Sequence, residues 1–288
     1  MRIALTGATG IAGHAVAARL LSAGWDIVTL GRRPSRFDVP HVAWSLGDQP
    51  DVACDALVHC AFVHAPGRYR GGEGNDPDGF LRLNRDGTLR LLDAVAGAKV
   101  VFLSSRAVYG AYLPGTRLDE TMPPRPDTLY GRLKAETEIV VSDLGGTSLR
   151  ATGLYGPAPP GRNHKWADLF ADFAAGRFIL PRVATELHVD DLADAVELCL
   201  RGWTPPVLDV ADILLDRRDL LALYAEISGT DGRLPDRGDA TRVSEMTGTR
   251  IRALGWMPRG QAGLRPSLIE MLRCKSQGSS HSDPADDG

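Results

Sequence analysis

The sequence is poor in the features that mark several large protein classes. Its 288 residues include four cysteines, Cys54, Cys60, Cys199 and Cys274, scattered without a CxxC pair. That spacing argues against a disulfide framework and against a zinc site, and no metal is expected; a reducing cytoplasm is the expected compartment. Apolar runs are short. None approaches the ~18–20 residues of a membrane span, and Met1-Arg2-Ile3-Ala4-Leu5 leads straight into a glycine turn without the apolar core of a signal peptide. Charge of one sign is missing as well: 33 Lys and Arg against 36 Asp and Glu leave a formal −3. A nucleic-acid binder normally carries a basic surplus, so no such partner is expected.

What is present suits a folded α/β chain. Hydrophobic residues make up 43% and charged residues 24%, enough for a sizeable core and too apolar for wholesale disorder. Short β-type runs alternate with helical stretches through the first 150 residues. Arg2–Thr6, Asp26–Leu30, Ala56–Ala61, Val100–Ser104 and Thr147–Ala151 read as strands; Ile11–Ala23, Phe80–Val95 and Leu129–Asp143 read as helices. Alternation of this kind predicts a doubly wound parallel sheet with helices on both faces. After Tyr155 the texture changes to a Pro/Gly loop (156–161), helices over Trp166–Ala175, Asp190–Leu200 and Asp216–Ser228, and a strand at Val207–Val210. Leu268–Cys274 is a candidate closing segment. The predicted division is 1–155, then 156–275 with some segments returning to the core, then a disordered tail over 276–288, which lacks an apolar anchor.

Three motifs carry chemistry. Thr6-Gly7-Ala8-Thr9-Gly10-Ile11-Ala12-Gly13 lies between the first strand and the first helix. There, glycines allow a tight turn and close backbone approach to a pyrophosphate, and the helix N-terminus presents free N–H groups to it. Gly7, Thr9, Gly10, Ile11 and Gly13 are the expected contacts. The second strand ends in Gly31-Arg32-Arg33, where NAD-binding folds place an acid to hold the ribose hydroxyls. Two guanidinium groups, Arg32 and Arg33, suit a 2′-phosphate instead, which predicts NADP with NAD as the alternative; a solvated loop is the bland reading. Finally, Tyr130 and Lys134 share a helix face, downstream of a strand ending in Ser104-Ser105. An ammonium beside a phenol favours the phenolate, so Tyr130 could exchange a proton with a carbonyl or carbinol oxygen while Ser105 donates a hydrogen bond to it.

Together with Gly47-Asp48, Asn84-Arg85-Asp86-Gly87-Thr88, Ser104 to Gly110, Leu154-Tyr155-Gly156-Pro157, His188-Val189-Asp190-Asp191 and Leu254 to Pro258, these motifs resemble the extended short-chain dehydrogenases/reductases. Their nearest kin is the NAD(P)-dependent epimerase/dehydratase group. The resemblance implies a Rossmann domain over 1–155 and a mainly substrate-binding region over 156–275. It assigns Asp48 to the adenine, His59 to Phe62 (Ala61 among them) to the cofactor, Asn84 to bracing the active-site helix, Tyr130 to proton transfer and Lys134 to the nicotinamide ribose. It places the Tyr155-Gly156-Pro157 turn over the nicotinamide, and it implies a homodimer.

Departures from the family pattern narrow the chemistry. Arg106 and Ala107 stand where family dehydratases carry an Asp-Glu pair, so no acid and base remain there to eliminate water. Ala184 stands where many nucleotide-sugar members grip the pyrophosphate with arginine. Arg106 and His164 are candidate substrate contacts; the alternatives are a loop charge for Arg106 and helix capping for His164, with Trp166 merely packing. His188, Asp190 and Asp191 read as the structural start of a helix. The expected activity is an NADP-dependent oxidoreductase acting on a carbonyl or secondary alcohol of a sugar-like or small keto substrate. A nucleotide-sugar 4-epimerase and a non-catalytic NADP sensor are the alternatives.

Overall fold

The structure is a computed structural model and describes residues 1–64, 71–110 and 112–278, with side chains to Arg273. Most of the expected tail, and the thiol of Cys274, therefore lie outside the described residues. In chain order the first half runs β1 (Arg2–Thr6), α1 (Ile11–Ser22), β2 (Asp26–Gly31), β3 (His41–Ala43), β4 (Ala56–His59), α2 (Pro77–Leu81), a π-turn (Arg82–Asp86), α3 (Gly87–Ala94) and β5 (Lys99–Ser105). A 3₁₀ turn (Arg106–Val108) then leads to α4 (Leu129–Asp143), β6 (Thr147–Ala151) and β7 (Gly153–Tyr155). The remainder is α5 (Ala167–Ala174), β8 (Val183–His188), α6 (Val189–Arg201), β9 (Val207–Val210), β10 (Ile213–Asp216), α7 (Arg217–Ser228), α8 (Thr249–Ala253) and α9 (Leu264–Gly278).

Seven strands form one parallel sheet in the order β3-β2-β1-β4-β5-β6-β9. The chain reverses direction across the sheet between β1 and β4, and the crevice at such a switch point is where doubly wound folds bind ligands. β1 and β4 are the reason: Ile3, Leu5, Ala56 and Val58 pack under α1 and α6, while Ala4 and Leu57 face α3. Both faces of each strand are buried, as a parallel sheet requires. β9 and α6 arise after residue 156 and still belong to this first core.

A second core encloses Tyr155, Trp166, Phe170, Phe173, Leu221 and Tyr224 beneath a small sheet ordered β10-β8-β7. Phe170 and Tyr224 stack face to face with ring centres 4.0 Å apart.

Several elements depart from the sequence reading. The helix expected over Phe80–Val95 starts at Pro77, where the Asp76 carboxylate caps the Gly79 N–H at 2.8 Å, and is interrupted by the π-turn. β3, β7, β8, β10 and α8 lie outside the sequence expectation; all are three to six residues long. β8 hides because Glu186 interrupts its apolar run, and that carboxylate is buried against the ammonium of Lys165. Asn84 hydrogen-bonds to the segment after β4 and to the end of α2. The π-turn aims its amide at the N–H and C=O of Val63, at 2.7 and 2.8 Å, and at the carbonyl of Phe80.

Candidate active site

The glycine loop is shaped by contact as much as by flexibility. Gly7 has φ +75°, and a Cβ there would lie 2.9 Å from the Ala61 nitrogen, so β1 and the end of β4 meet without room for a side chain. A Cβ on Gly13 would lie 2.6 Å from the carbonyl carbon of Gly7. Gly10 begins α1 with no side-chain cap, and the first turn carries no acid. The opening N–H groups of α1 and its positive dipole end are thus left for a phosphate, which fits a dinucleotide.

Beneath the loop lies a polar clamp that sequence reading missed. The Thr6 hydroxyl accepts from the N–H groups of Cys60 and Ala61 at 3.2 and 3.1 Å, and stands 2.7 Å from His59 Nδ1. With its oxygen accepting from two N–H groups, the Thr6 hydroxyl donates its O–H to Nδ1; His59 therefore carries its ring proton on Nε2, facing the Thr88 hydroxyl at 3.1 Å. Burial pulls the His59 pKa down to about 3 and keeps the ring neutral. His59 thus serves as a strut, binding the loop to β4 and α3.

The other cofactor positions divide by environment. Arg32 and Arg33 stand in solvent just past β2, and the nearby Ser35 hydroxyl is buried without a hydrogen-bond partner. Asp48 is exposed; its carboxylate receives the Ser45 N–H at 3.1 Å and its carbonyl the Trp44 indole at 2.9 Å. Tyr155 is corrected: its ring is 1% exposed, stacked on Trp166 at 4.9 Å and edge-on to His188. The second core claims that side chain, so the phenol of Tyr155 does not face a cofactor.

The candidate catalytic positions lie at the end of β5 and in the first two turns of α4. Thr128 caps α4, its hydroxyl accepting the Gly131 N–H at 3.0 Å, so Tyr130 lies in the first turn. The phenol ring is half-buried and meets Phe62 edge-on at 5.0 Å. One turn on, Lys134 is 3% exposed and donates to the Leu103 carbonyl at 2.7 Å, with the rings of Phe62 and Phe102 each 4.5 Å from its nitrogen. Desolvation pulls its pKa down to about 7, opposed by Cys60 and Glu138. Ser105 accepts the Ala107 N–H at 3.1 Å, which leaves its hydroxyl proton available for a substrate oxygen.

Two substrate candidates fare differently from expectation. His164 is buried, its Nδ1 accepting the Trp166 N–H at 3.2 Å, and so it shapes the entry to α5 from the interior. Arg106 is tied to the C-terminal region through the Ser244 carbonyl at 2.8 Å. The Lys165–Glu186 pair was also missed; it covers the exposed backbone of Gly153, leaving no space for a Cβ there.

The His-Val-Asp-Asp and Leu-Gly-Trp motifs prove to be partners. His188, fully buried, caps α6 by accepting the Asp190 N–H at 3.1 Å, and burial lowers its pKa to about 4. Arg259 grips Asp191 at 3.0 Å, and the Trp256 indole donates to the Asp191 carbonyl at 2.8 Å. Among the described residues no His, Cys, Asp and Glu cluster could hold a metal ion, and no helix is long and apolar enough to cross a membrane.

Comparison with known proteins agrees with this geometry. Over 310 aligned residues the chain is 32% identical to a dTDP-6-deoxy-L-talose 4-dehydrogenase (NAD(P)(+)) of Kitasatospora kifunensis, covering 96% of both. It is 31% identical to a 3-diazoavenalumate denitrifying reductase of a Streptomyces species, over 74% of this chain and 76% of that one. Among solved structures, UDP-glucose 4-epimerase of Thermus thermophilus in complex with NAD superposes with a TM-score of 0.76 at 25% identity, covering 94% of this chain and 99% of the other. The model of the NAD dependent epimerase/dehydratase family matches residues 3–208. The chain therefore belongs to that family, as an NAD(P)-dependent enzyme of the extended short-chain dehydrogenase type.

Proposed function

We propose that the enzyme is an NADP-dependent oxidoreductase acting on a carbonyl or secondary alcohol of a sugar-like substrate. What supports this reading is the placement of Ser105 at the end of β5 and of Tyr130 and Lys134 one turn apart on α4, with the Lys134 ammonium bonded to the Leu103 carbonyl of that same strand. A bound nicotinamide supplies the hydride acceptor or donor. Around it, Ser105 donates to the substrate oxygen, Tyr130 exchanges the proton, and Lys134 holds the ribose and places positive charge near the phenol. The exposed guanidinium groups of Arg32 and Arg33 support a 2′-phosphate. The near full-length likeness to a deoxysugar 4-dehydrogenase supports a carbohydrate substrate.

The test is a photometric screen of NADPH oxidation over keto-sugars and simple ketones, run beside NADP⁺ reduction with dTDP-6-deoxy-L-talose. Turnover with NADPH favoured over NADH is expected; equal or better use of NADH would overturn the cofactor assignment. Likeness to the Thermus enzyme favours a second reading, a nucleotide-sugar 4-epimerase. An epimerase would convert UDP-glucose without net release of oxidised or reduced cofactor.

A further inference from the structure

Tyr130, Lys134 and Glu138 follow one another at four-residue intervals on α4, so all three lie along one face. The third has no role in the mechanism above, yet its carboxylate is bonded to both neighbouring strands of the sheet. Glu138 is 4% exposed. Its carboxylate lies 2.5 Å from the Ser104 hydroxyl on β5 and takes a forked pair from Arg150 on β6, Nε at 3.0 Å and Nη2 at 2.7 Å. Arg150 is equally buried, and its remaining terminal nitrogen, Nη1, is left without a partner.

Stability does not account for this arrangement. A buried Arg–Glu pair pays the desolvation of both ions, and well-packed apolar residues at such a place are often as stable or more so. What the pair does provide is position. Three consecutive residues of β5 are each committed: the Leu103 carbonyl to Lys134, the Ser104 hydroxyl to Glu138, and Ser105 to the site itself. The helix is therefore fastened to the strand at two successive turns, and Tyr130 stands one turn beyond.

We propose that Glu138 is a positioning residue of the active site, bonded to Ser104 and Arg150 so that α4 keeps the register that sets Lys134 and Tyr130 against Ser105. It also faces Lys134 with negative charge. Among the described residues, the other titratable groups facing Lys134 are the Tyr130 phenol one turn before it, the Cys60 thiol, whose pKa burial raises to about 12, neutral His59, and His64 in the segment after β4. Glu138 is the one carboxylate among these groups, so it favours the protonated lysine that binds a ribose.

This inference rests on the proposed role of Lys134 in holding the cofactor, and its test needs no substrate. NADPH affinity is measured by its fluorescence from pH 5.5 to 9 in the wild type, Glu138→Gln and Ser104→Ala, each checked by thermal melting. In Glu138→Gln the pH at which affinity begins to fall is expected to drop by about one unit, because the lysine loses its counter-charge. Ser104→Ala keeps the charge and removes one fastening. Its pH break stays in place while affinity at pH 7 falls about tenfold. Should Glu138→Gln fail to fold, Ser104→Ala decides. Folded variants with the affinity and pH profile of the wild type would overturn the proposal, whereas absence of NADPH binding in the wild type would instead refute the cofactor assignment.

Discussion

The ammonium nitrogen of Lys134 lies 2.7 Å from the carbonyl oxygen of Leu103, between the faces of Phe62 and Phe102. No carboxylate is bonded to it among the contacts described, and desolvation is the main reason its pKa falls from 10.5 to about 7. Between those values the unfolded chain holds the proton and the folded chain does not, so stability gains as pH rises from about 7 to 10. Below pH 7 the fold carries the full penalty of a buried charge. Calorimetry should accordingly find Lys134→Met melting above the wild type at pH 6, with the gap closing by pH 10. A gap independent of pH would contradict the assignment.

Tyr130→Phe removes only the hydroxyl and leaves the edge contact with Phe62 in place. Turnover should fall at least about 100-fold, the usual scale of a lost general acid or base. NADPH binding and melting temperature should stay within error. Turnover close to the wild type would remove the phenol from the mechanism.

The pair Arg32 and Arg33 stands exposed, so replacing both should leave the fold intact. NADPH affinity is expected to fall about tenfold per arginine while NADH affinity is unchanged, since only the 2′-phosphate is lost as a partner. Titration of both cofactors against Arg32→Ser/Arg33→Ser checks this. An equal loss for the two would mean that the arginines touch something other than the 2′ position.

Gly13→Val tests the loop. The added carbons meet the Gly7 carbonyl, so α1 must retreat from β1. A lower melting temperature together with loss of NADPH binding is the expected result. Gly24, which has open space around its missing side chain, is the comparison: Gly24→Asn should leave NADPH binding intact. Binding retained in Gly13→Val would show that the loop is not where the phosphates sit.

Local residue patterns alone encode the parallel sheet, the glycine loop and the Ser105, Tyr130 and Lys134 constellation. Each is written in residues close in the chain: apolar runs such as Ala56–His59, a strand–glycine–helix junction, two side chains one helical turn apart. What escapes such reading depends on pairing across long sequence distances. Glu138 reads as an ordinary charge on a helix until Ser104, 34 residues away, and Arg150 bury it. Glu186 masks β8 in the sequence because its partner Lys165 stands 21 residues away, and Tyr155 and His164, read as site residues, go into the second core with Trp166 and Phe170. Whether a polar side chain faces solvent, a cofactor or another buried charge is decided by desolvation and the partner that offsets it. Local periodicity carries no record of either; the folded chain supplies both.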